Sequence, residues 1–249
     1  MSGHSKWSQI KRAKGVTDAK RGQLFTKLGR EISVAARAGG GPDPEANARL
    51  RLAIQRAREA NMPMDTIERA IKRGSGSADA AALEEILYEG YGPNGAAIMI
   101  EAMTDNRNRT VAEIRNVFKN SGGRLGETGC VAYLFDSKGI ISVEADGSDP
   151  DEVALQAIEA GADDFRVDDS SIEIYTDPTQ VETVRAALEQ ERVRVSNAET
   201  AMIPKTTLEL DPRDTVTVLR MMERLEELDD VQRVYSNLEL SEEALKQFV

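Results

Sequence analysis

Basic and acidic side chains are segregated along this chain of 249 residues. The first 76 residues carry 16 Lys and Arg against seven Asp and Glu, a net charge of +9, whereas the remaining residues carry a net charge of −20. A separation on this scale indicates an interaction module. We expect a basic module that meets a polyanion, attached to an acidic body that the same polyanion repels. The alternative is that solvated helix faces happen to be rich in arginine.

Length and composition restrict the class of protein further. A mass of 27.2 kDa exceeds what one compact core needs, so two or three domains are expected. Aromatic residues make up only 4%, so the cores must consist of Leu, Ile, Val, Ala and Met. The sequence has neither an apolar run of about 20 residues, as a membrane span requires, nor a signal-peptide core. We therefore expect a cytoplasmic protein that does not contact a membrane.

The residues that usually perform catalysis or bind metals are scarce. Cys130 is the only cysteine and His4 the only histidine, which excludes an internal disulfide and makes a zinc site, a Ser-His-Asp triad or a Cys-His dyad improbable. Carboxylates are abundant, but none lies in a recognisable catalytic pattern. The sequence thus predicts a protein that is not an enzyme and has no metal, cofactor or small-molecule substrate. Cys130 is interpreted as a small buried hydrophobic residue.

Residues 1–78 are predicted to form a basic arm followed by three short amphipathic helices. The first helix spans about 18–38, the second is predicted to begin at Asp43-Pro44, and Asp65–Glu68 reads as a capping box for the third. Trp7 in the arm can either stack on nucleobases or pack back onto the helices. The candidate nucleic-acid contacts of this module are Lys6, Trp7, Lys11, Arg12, Lys14, Lys20, Lys27, Arg30, Arg37, Arg49, Arg51, Arg56 and Arg58.

Residues 79–249 read as two α/β domains. Residues 139–203 follow a βαββαβ order, the ferredoxin-like arrangement. The segments 79–138 and 204–249 find partners for all their strands only if they form one discontinuous domain. The predicted fold is therefore α+β: an N-terminal three-helix domain and two α/β domains, with the third inserted into the second. Three Asp-Pro pairs are expected to begin helices, with the Asp as N-cap: Asp149-Pro150, Asp177-Pro178 and Asp211-Pro212.

The predicted insert is strongly acidic. It holds sixteen acidic side chains against four arginines, a net charge of −12. The RNA-recognition motif has the same fold, but it needs stacked aromatic residues among basic ones, and the two central strands here offer only Tyr175. Because phosphates would be repelled, the insert is not expected to bind nucleic acid. It is instead a candidate docking surface for a basic protein such as a ribosomal protein.

Two further segments of the second domain have features of anion sites. The glycine-rich run Gly123–Gly129 follows a helix and enters the segment Cys130–Phe135, which is predicted to be a buried strand. A phosphate-binding fingerprint has the opposite order, so we interpret this run as a connector. Arg107 and Arg109 precede Thr110–Glu113, which reads as a capping box, and arginines at a helix N-terminus can hold phosphate. The alternative is a polar loop with a good cap.

Segments spread over the whole chain resemble the YebC/PmpR family. They are Met1–Trp7 with Ile10-Lys11, Phe25–Leu28, Glu31-Ile32, Asn61–Pro63, Tyr88–Pro93, Thr104–Thr110 and Gly122–Gly129. The resemblance implies three domains, one helical and two α/β, with the third inserted into the second. It places Cys130 where many relatives carry a small residue such as Ser, which supports a packing role.

The resemblance also implies a function. Proteins of that family are cytoplasmic, and many are described as transcriptional regulators that bind DNA. Others are mitochondrial translational activators of cytochrome c oxidase, or bacterial factors that act on ribosomes stalled at proline-rich stretches. We therefore expect a DNA-binding transcriptional regulator, with a ribosome-associated translation factor that binds rRNA as the alternative. Low aromatic content disfavours reading of single strands and fits recognition of a duplex backbone.

Overall fold

The computed structural model describes residues 6–7, 18–38, 41–76, 83–144, 149–168 and 171–248, in two compact units. One unit contains residues 133–207 together with 6–7, and the other contains the described residues of 11–132 and 208–249. The helices are α1 Asp18–Arg37, α2 Ala48–Glu59, α3 Met64–Ser75, α4 Arg107–Asn120, α5 Pro150–Glu159, α6 Val181–Gln190, α7 Pro212–Glu226 and α8 Glu242–Phe248. The strands are β1 Glu84–Tyr91, β2 Ala97–Thr104, β3 Arg124–Leu125, β4 Phe135–Glu144, β5 Asp164–Asp168, β6 Ser171–Thr176, β7 Val195–Pro204 and β8 Val231–Ser236.

Helices α1, α2 and α3 form a small bundle around an aliphatic core. Leu28, Ile32, Leu50, Ile54 and Ile67 are buried in it, at the helical spacing that the sequence shows. The three helices were therefore predicted correctly, and α1 ends within one residue of its predicted end.

Two predicted helix starts in the bundle are wrong. Asp43 accepts a hydrogen bond from the Glu45 N–H within a turn, and α2 begins after Asn47. The buried Asn47 caps Leu50 N–H and also donates to the Ala35 carbonyl at the end of α1, so it satisfies two helix ends at once. The Asp65–Glu68 capping box is absent from the structure, since α3 begins at Met64 with no side-chain cap.

The second domain is built on a four-stranded sheet with the order β3-β1-β2-β8. Phe118 of α4 lies against Gly90 and Met221 of α7 lies against Gly92, so both helices cover the same face. On the opposite face Glu85 of β1 pairs with Arg49 of the helical bundle. The sheet is thus covered on both sides.

Two further predictions for this domain are wrong. Helix α4 begins at Arg107, because Asn106 caps the Arg109 N–H, and Thr110 lies inside the helix with its hydroxyl buried. Residues 130–134 form turns and a 3-10 helix, and the strand starts at Phe135. The side chain of Glu89 satisfies backbone N–H groups there that a sheet would otherwise pair.

The insert has the strand order β5-β6-β4-β7, all antiparallel, with α5 and α6 packed against its core. This is the ferredoxin-like order, so the predicted fold class is confirmed. Asp149 and Asp211 cap their helices as predicted. Asp177 instead binds Thr179 in a turn, and α6 begins four residues later. The domain boundaries at 78, 138 and 203 stay a prediction.

Among the helices described, none is long and apolar enough to span a bilayer.

Gly74 permits the close packing of α1 and α3, and its replacement tests that packing. A Cβ atom at Gly74 would lie 2.9 Å from Ala36 Cβ and closer still to the Ser33 carbonyl oxygen. We expect Gly74→Ala to lower the free energy of unfolding by about 1–3 kcal/mol, because the two backbones must move apart. Urea denaturation measures this change.

Gly22 provides a matched control in α1. It is exposed, and an added Cβ would meet nothing within 4 Å. Gly22→Ala should therefore raise the free energy of unfolding by about 0.5–1 kcal/mol, as expected for glycine in an open helix. Changes of equal sign at the two positions would contradict the proposed packing.

Candidate nucleic-acid interface

A buried carboxylate organises the region where the helical bundle meets the first sheet. Asp230, which is only 2% exposed, lies between α7 and β8. It accepts hydrogen bonds from Arg109 at 2.7 Å and 2.9 Å and from Arg30 at 2.7 Å. The hydroxyls of Thr110 and Thr104 donate to it at 2.7 Å and 3.1 Å. One carboxylate therefore joins α1, the end of β2, α4 and the start of β8.

The electrostatics of this cluster favour the charged form of Asp230. Burial alone would raise the pKa of Asp230, but the bonds from Thr110 and Arg109 and the charge of Arg30 outweigh it and lower the pKa. The same contact raises the pKa of Arg109, chiefly through its bond to Asp230. The two arginines are thus bound to protein carboxylate, which is the group that a phosphate would have to displace.

Other basic side chains of α1 cap the C-terminus of α7. Lys27 donates to the Glu226 carbonyl at 2.5 Å, and Arg30 donates to the Asp229 carbonyl at 2.5 Å. Gln23 donates to the Glu227 carbonyl at 2.6 Å. The Glu226 and Glu227 carbonyls lie at the end of α7, where cations are stabilised by the helix dipole, and the Asp229 carbonyl lies in the turn that follows. Lys27 and Arg30 therefore attach the bundle to the second domain.

Two arginines of α2 form ion pairs on the sheet-facing side of the bundle. Arg49 donates through both terminal nitrogens to Glu85, and Arg56 pairs with Glu31 at 2.8 Å. Arg233 of β8 lies 3.9 Å from Glu31. Arg49 and Arg56 therefore have carboxylate partners, although the sequence suggested phosphate contacts for both.

The two arginines near the start of α4 are also paired. Arg107 binds Glu84 of β1, and Arg109 binds Asp105 as well as Asp230. Asn106 occupies the cap position that a bound phosphate would need. These contacts fit a polar loop with a good cap, and phosphate contact at Arg107 and Arg109 stays a prediction.

The backbone N–H groups at the end of the glycine-rich run also have a partner within the protein. The buried carboxylate of Glu89 accepts bonds from the backbone N–H groups of Gly129, Val131 and Ala132 at 2.7–2.8 Å. Desolvation opposes the charge of Glu89, yet the three donors lower its pKa below the ordinary value. These N–H groups are thus occupied by a carboxylate. The run is more than the predicted connector, because it contains β3, in which Arg124 and Leu125 pair with Tyr91 and Gly90 of β1.

A smaller set of the predicted nucleic-acid contacts has no carboxylate partner among the described residues. Arg37 and Arg58 are exposed, and their side chains have no hydrogen bond or ion pair with another described residue. Arg51 donates to the carbonyls of Pro44 and Glu45. Arg37 and Arg58 are therefore better candidates for phosphate contact than the arginines facing the sheet.

Two exposed cations that the prediction omitted lie near Arg37. Lys72 and Arg73, in the last turn of α3, are also unpaired within the part of the chain that the structure describes. Gly29 approaches Met62, Ser33 binds the Ala70 carbonyl, and Ala36 approaches Gly74, so α1 and α3 run parallel. Their C-termini, and hence Arg37, Lys72 and Arg73, lie at the same end of the bundle; we call these three residues the bundle-end cluster. The basic last turn of α3 was the available sequence signal.

The arm contributes few described contacts. Trp7 is 2% exposed and belongs to the compact unit of residues 133–207, so its indole is not open for stacking in this structure. Lys6 is half-buried. Lys11, Arg12 and Lys14 lie outside the described residues, as does the side chain of Lys20.

Family comparisons match almost the whole chain. The family described as "TACO1/YebC protein N-terminal domain" matches residues 5–77, and the one described as "TACO1/YebC second and third domain" matches residues 83–238. The chain belongs to the TACO1/YebC family. This confirms the resemblance drawn from the sequence motifs.

Individual relatives are similar over their full length. The chain is 58% identical to a protein of Pelotomaculum thermopropionicum, across 97% of this chain and 100% of that one. It is 55% identical to a protein of Chloroflexus aurantiacus, across 100% and 99%. Both are named "Probable transcriptional regulatory protein". The crystal structure of a conserved hypothetical protein from Aquifex aeolicus is 47% identical and superposes with a TM-score of 0.83, covering 90% of this chain and 93% of that chain.

Asp230 provides a test of the cluster that joins bundle and sheet. We expect Asp230→Ala to lower the free energy of unfolding by about 3 kcal/mol, because it removes the partner of two arginines and two buried hydroxyls. Since folding lowers the pKa of Asp230, its contribution is complete above the ordinary aspartate pKa of about 4 and disappears as the pH falls through the folded value. Urea denaturation as a function of pH measures both effects.

The neighbouring Asp229 is the control. Its side chain is exposed and only its carbonyl binds Arg30, so Asp229→Ala should change stability by less than about 0.5 kcal/mol. Equal losses for the two variants, or a wild-type to Asp230→Ala difference that does not shrink as the pH falls below the ordinary aspartate pKa, would contradict the role of the buried carboxylate.

Proposed function

We propose that this chain is a cytoplasmic, non-enzymatic transcriptional regulator that binds duplex DNA through its helical bundle. Its relatives are named probable transcriptional regulatory proteins, and the first 76 residues carry a net charge of +9. The observation that carries the proposal is the bundle-end cluster, since Arg37, Lys72 and Arg73 stay exposed and unpaired at one end of the bundle, whereas Arg30, Arg49 and Arg56 are bound to carboxylates.

The bundle-end cluster has the chemistry that phosphate recognition requires. Arginine donates two parallel hydrogen bonds to phosphate, and lysine adds a mobile point charge. All three side chains extend from the last turns of parallel helices, whose dipoles favour cations there. This arrangement can bind the phosphate backbone of a duplex without contacting the bases, which fits sequence-independent affinity.

The buried acidic groups support a role without catalysis. The carboxylates of Glu89 and Asp230 are each saturated by three or more donors, and their lowered pKa values leave them charged acceptors engaged in holding the fold. Burial raises the pKa of the Cys130 thiol, and the charge of Glu89 adds to this, so the thiolate that a nucleophile requires is disfavoured. These groups stabilise loops and domain contacts.

Neutralising the bundle-end cluster tests the proposal. We expect the triple change of Arg37, Lys72 and Arg73 to Gln to weaken binding to a DNA duplex and to reduce the slope of log K against log salt by about 0.9 for each lost phosphate contact. Fluorescence anisotropy over a series of salt concentrations measures both quantities.

A control variant should lose the same charge elsewhere. Lys138, Arg194 and Lys205 pair with Asp163, Glu144 and Asp136 in the insert unit. Changing these three residues to Gln should leave the slope unchanged. If both triple variants weaken binding equally, total charge and not the bundle-end cluster determines affinity.

Two binding assays on the same protein preparation decide whether DNA or ribosomal RNA is the target. A gel shift with specific and random competitor duplexes is compared with ribosome co-sedimentation at matched salt. A promoter affinity equal to that for random DNA, together with salt-resistant ribosome binding, would replace transcriptional regulation by the ribosome-associated role.

A second candidate function, protein docking on the insert, is favoured by four exposed apolar side chains. Leu155 and Ile158 of α5 and Phe165 and Val167 of β5 are 36–60% exposed. Strand β5 is at the edge of its sheet and pairs with β6 alone among the strands that the structure describes, so its other side can accept a further strand. The surrounding charge of −12 selects a basic partner, such as a ribosomal protein.

Leu155→Asp tests this docking surface. It should lower ribosome co-sedimentation at least several-fold, because a charge replaces an apolar contact, while affinity for duplex DNA stays unchanged. Thr183→Asp, at an exposed position of α6, adds the same charge and should have no effect. Equal effects of the two variants, or none, would remove the surface from consideration.

A further inference from the structure

The two helices on one face of the first sheet carry a second basic surface. On α7 the residues exposed along the helix are Arg213, Thr217, Arg220 and Arg224. Their spacing of four, three and four residues places them in one line along the helix, opposite its buried apolar residues. No carboxylate interrupts this line, although the helix contains three acidic residues.

Helix α4 has a similar line of exposed residues. Asn108, Ala112, Arg115 and Lys119 follow the same spacing, opposite the buried Ile114 and Phe118, and again include no acid. Because α4 and α7 pack on the same face of the sheet, both lines point away from it on the same side. We call Arg115, Lys119, Arg220 and Arg224 the outer basic face.

These four cations differ from the arginines at the start of α4. Arg107 and Arg109 are bound to carboxylates, whereas the four side chains of the outer basic face have no hydrogen bond or ion pair with any other residue that the structure describes. Holding a line of like charges unpaired opposes folding slightly through self-repulsion, so packing does not explain it. A polyanion would relieve that repulsion.

The net negative charge of the chain after residue 76 does not prevent anion binding at the outer basic face. At physiological ionic strength a charge is screened over about 8 Å, so the side chains nearest to a phosphate decide its attraction. Within one line, Arg220 and Arg224 are one helical turn apart, about 6 Å. The axes of packed helices lie about 8–10 Å apart. This spacing falls between the widths of the minor and major grooves of a DNA duplex, which are about 6 Å and 12 Å.

We propose that the outer basic face binds the two phosphate backbones that border one groove of a nucleic-acid duplex, one line of cations to each backbone. This inference rests on the proposed function and adds a second contact surface to the bundle-end cluster. The sequence concealed it, since both helices lie in the part of the chain with a net charge of −20.

The experiment compares three full-length variants that each lose three positive charges. In the first, Arg115, Arg220 and Arg224 become Gln; the second changes the bundle-end cluster; the third is the insert control at Lys138, Arg194 and Lys205. Each is titrated with a fluorescent DNA duplex of random sequence and with an RNA duplex of equal length, over a series of salt concentrations. Thermal melting confirms that every variant is folded.

The expected result is a slope of log K against log salt that is lower by on the order of 2–3 for the outer-face variant than for wild type and control, with at least a tenfold loss of affinity. An outer-face variant that binds as the wild type does, while the bundle-end variant is weakened, overturns this inference and leaves the proposed function standing. Equal losses in the outer-face and control variants also overturn it. A wild-type chain that binds neither duplex overturns both proposals.

Discussion

The structure of the second domain and its attachment to the helical bundle depend on the burial of one charged carboxylate. Asp230 is 2% exposed, and a charge so far from water is tolerated only when donors surround it. Those donors come from α1, from the end of β2 and from α4, so satisfying one side chain fixes the relative positions of three elements. The Thr104–Thr110 motif supplies three of its four partners, so this family motif is accounted for by the contacts of a buried carboxylate.

The basic residues of the bundle have two roles: some attach the bundle to the second domain, and others stay available for a partner. Arg30 and Lys27 hold the bundle on the C-terminus of α7, and Arg49 binds a carboxylate of the sheet. The acidic body therefore does more than repel a polyanion, because part of it neutralises the module attached to it. The unpaired cations among the described residues, which remain for a partner, include those at the bundle end and on the outer basic face.

Local patterns predicted the elements well and their ends less well. The apolar spacing located α1, and the two Asp-Pro caps at Asp149 and Asp211 are present, because both depend on neighbouring residues alone. The starts assigned to Asp43 and Thr110 are wrong, because Asn47 and Asn106 provide the caps instead. Asn47 caps α2 while it binds the end of α1, and the Thr110 hydroxyl is taken by Asp230.

The sequence by itself determined the separation of charge, the three amphipathic helices, the ferredoxin-like order of the insert and membership of the family. Each of these follows from periodicity, composition or motifs within short stretches of chain. Only the tertiary structure decided which cations remain free, since Arg30 and Arg109 meet a carboxylate 200 and 121 residues away. The physical reason is that an unpaired buried charge costs several kcal/mol, so the fold brings distant cations to Asp230 and leaves others exposed on faces without carboxylates.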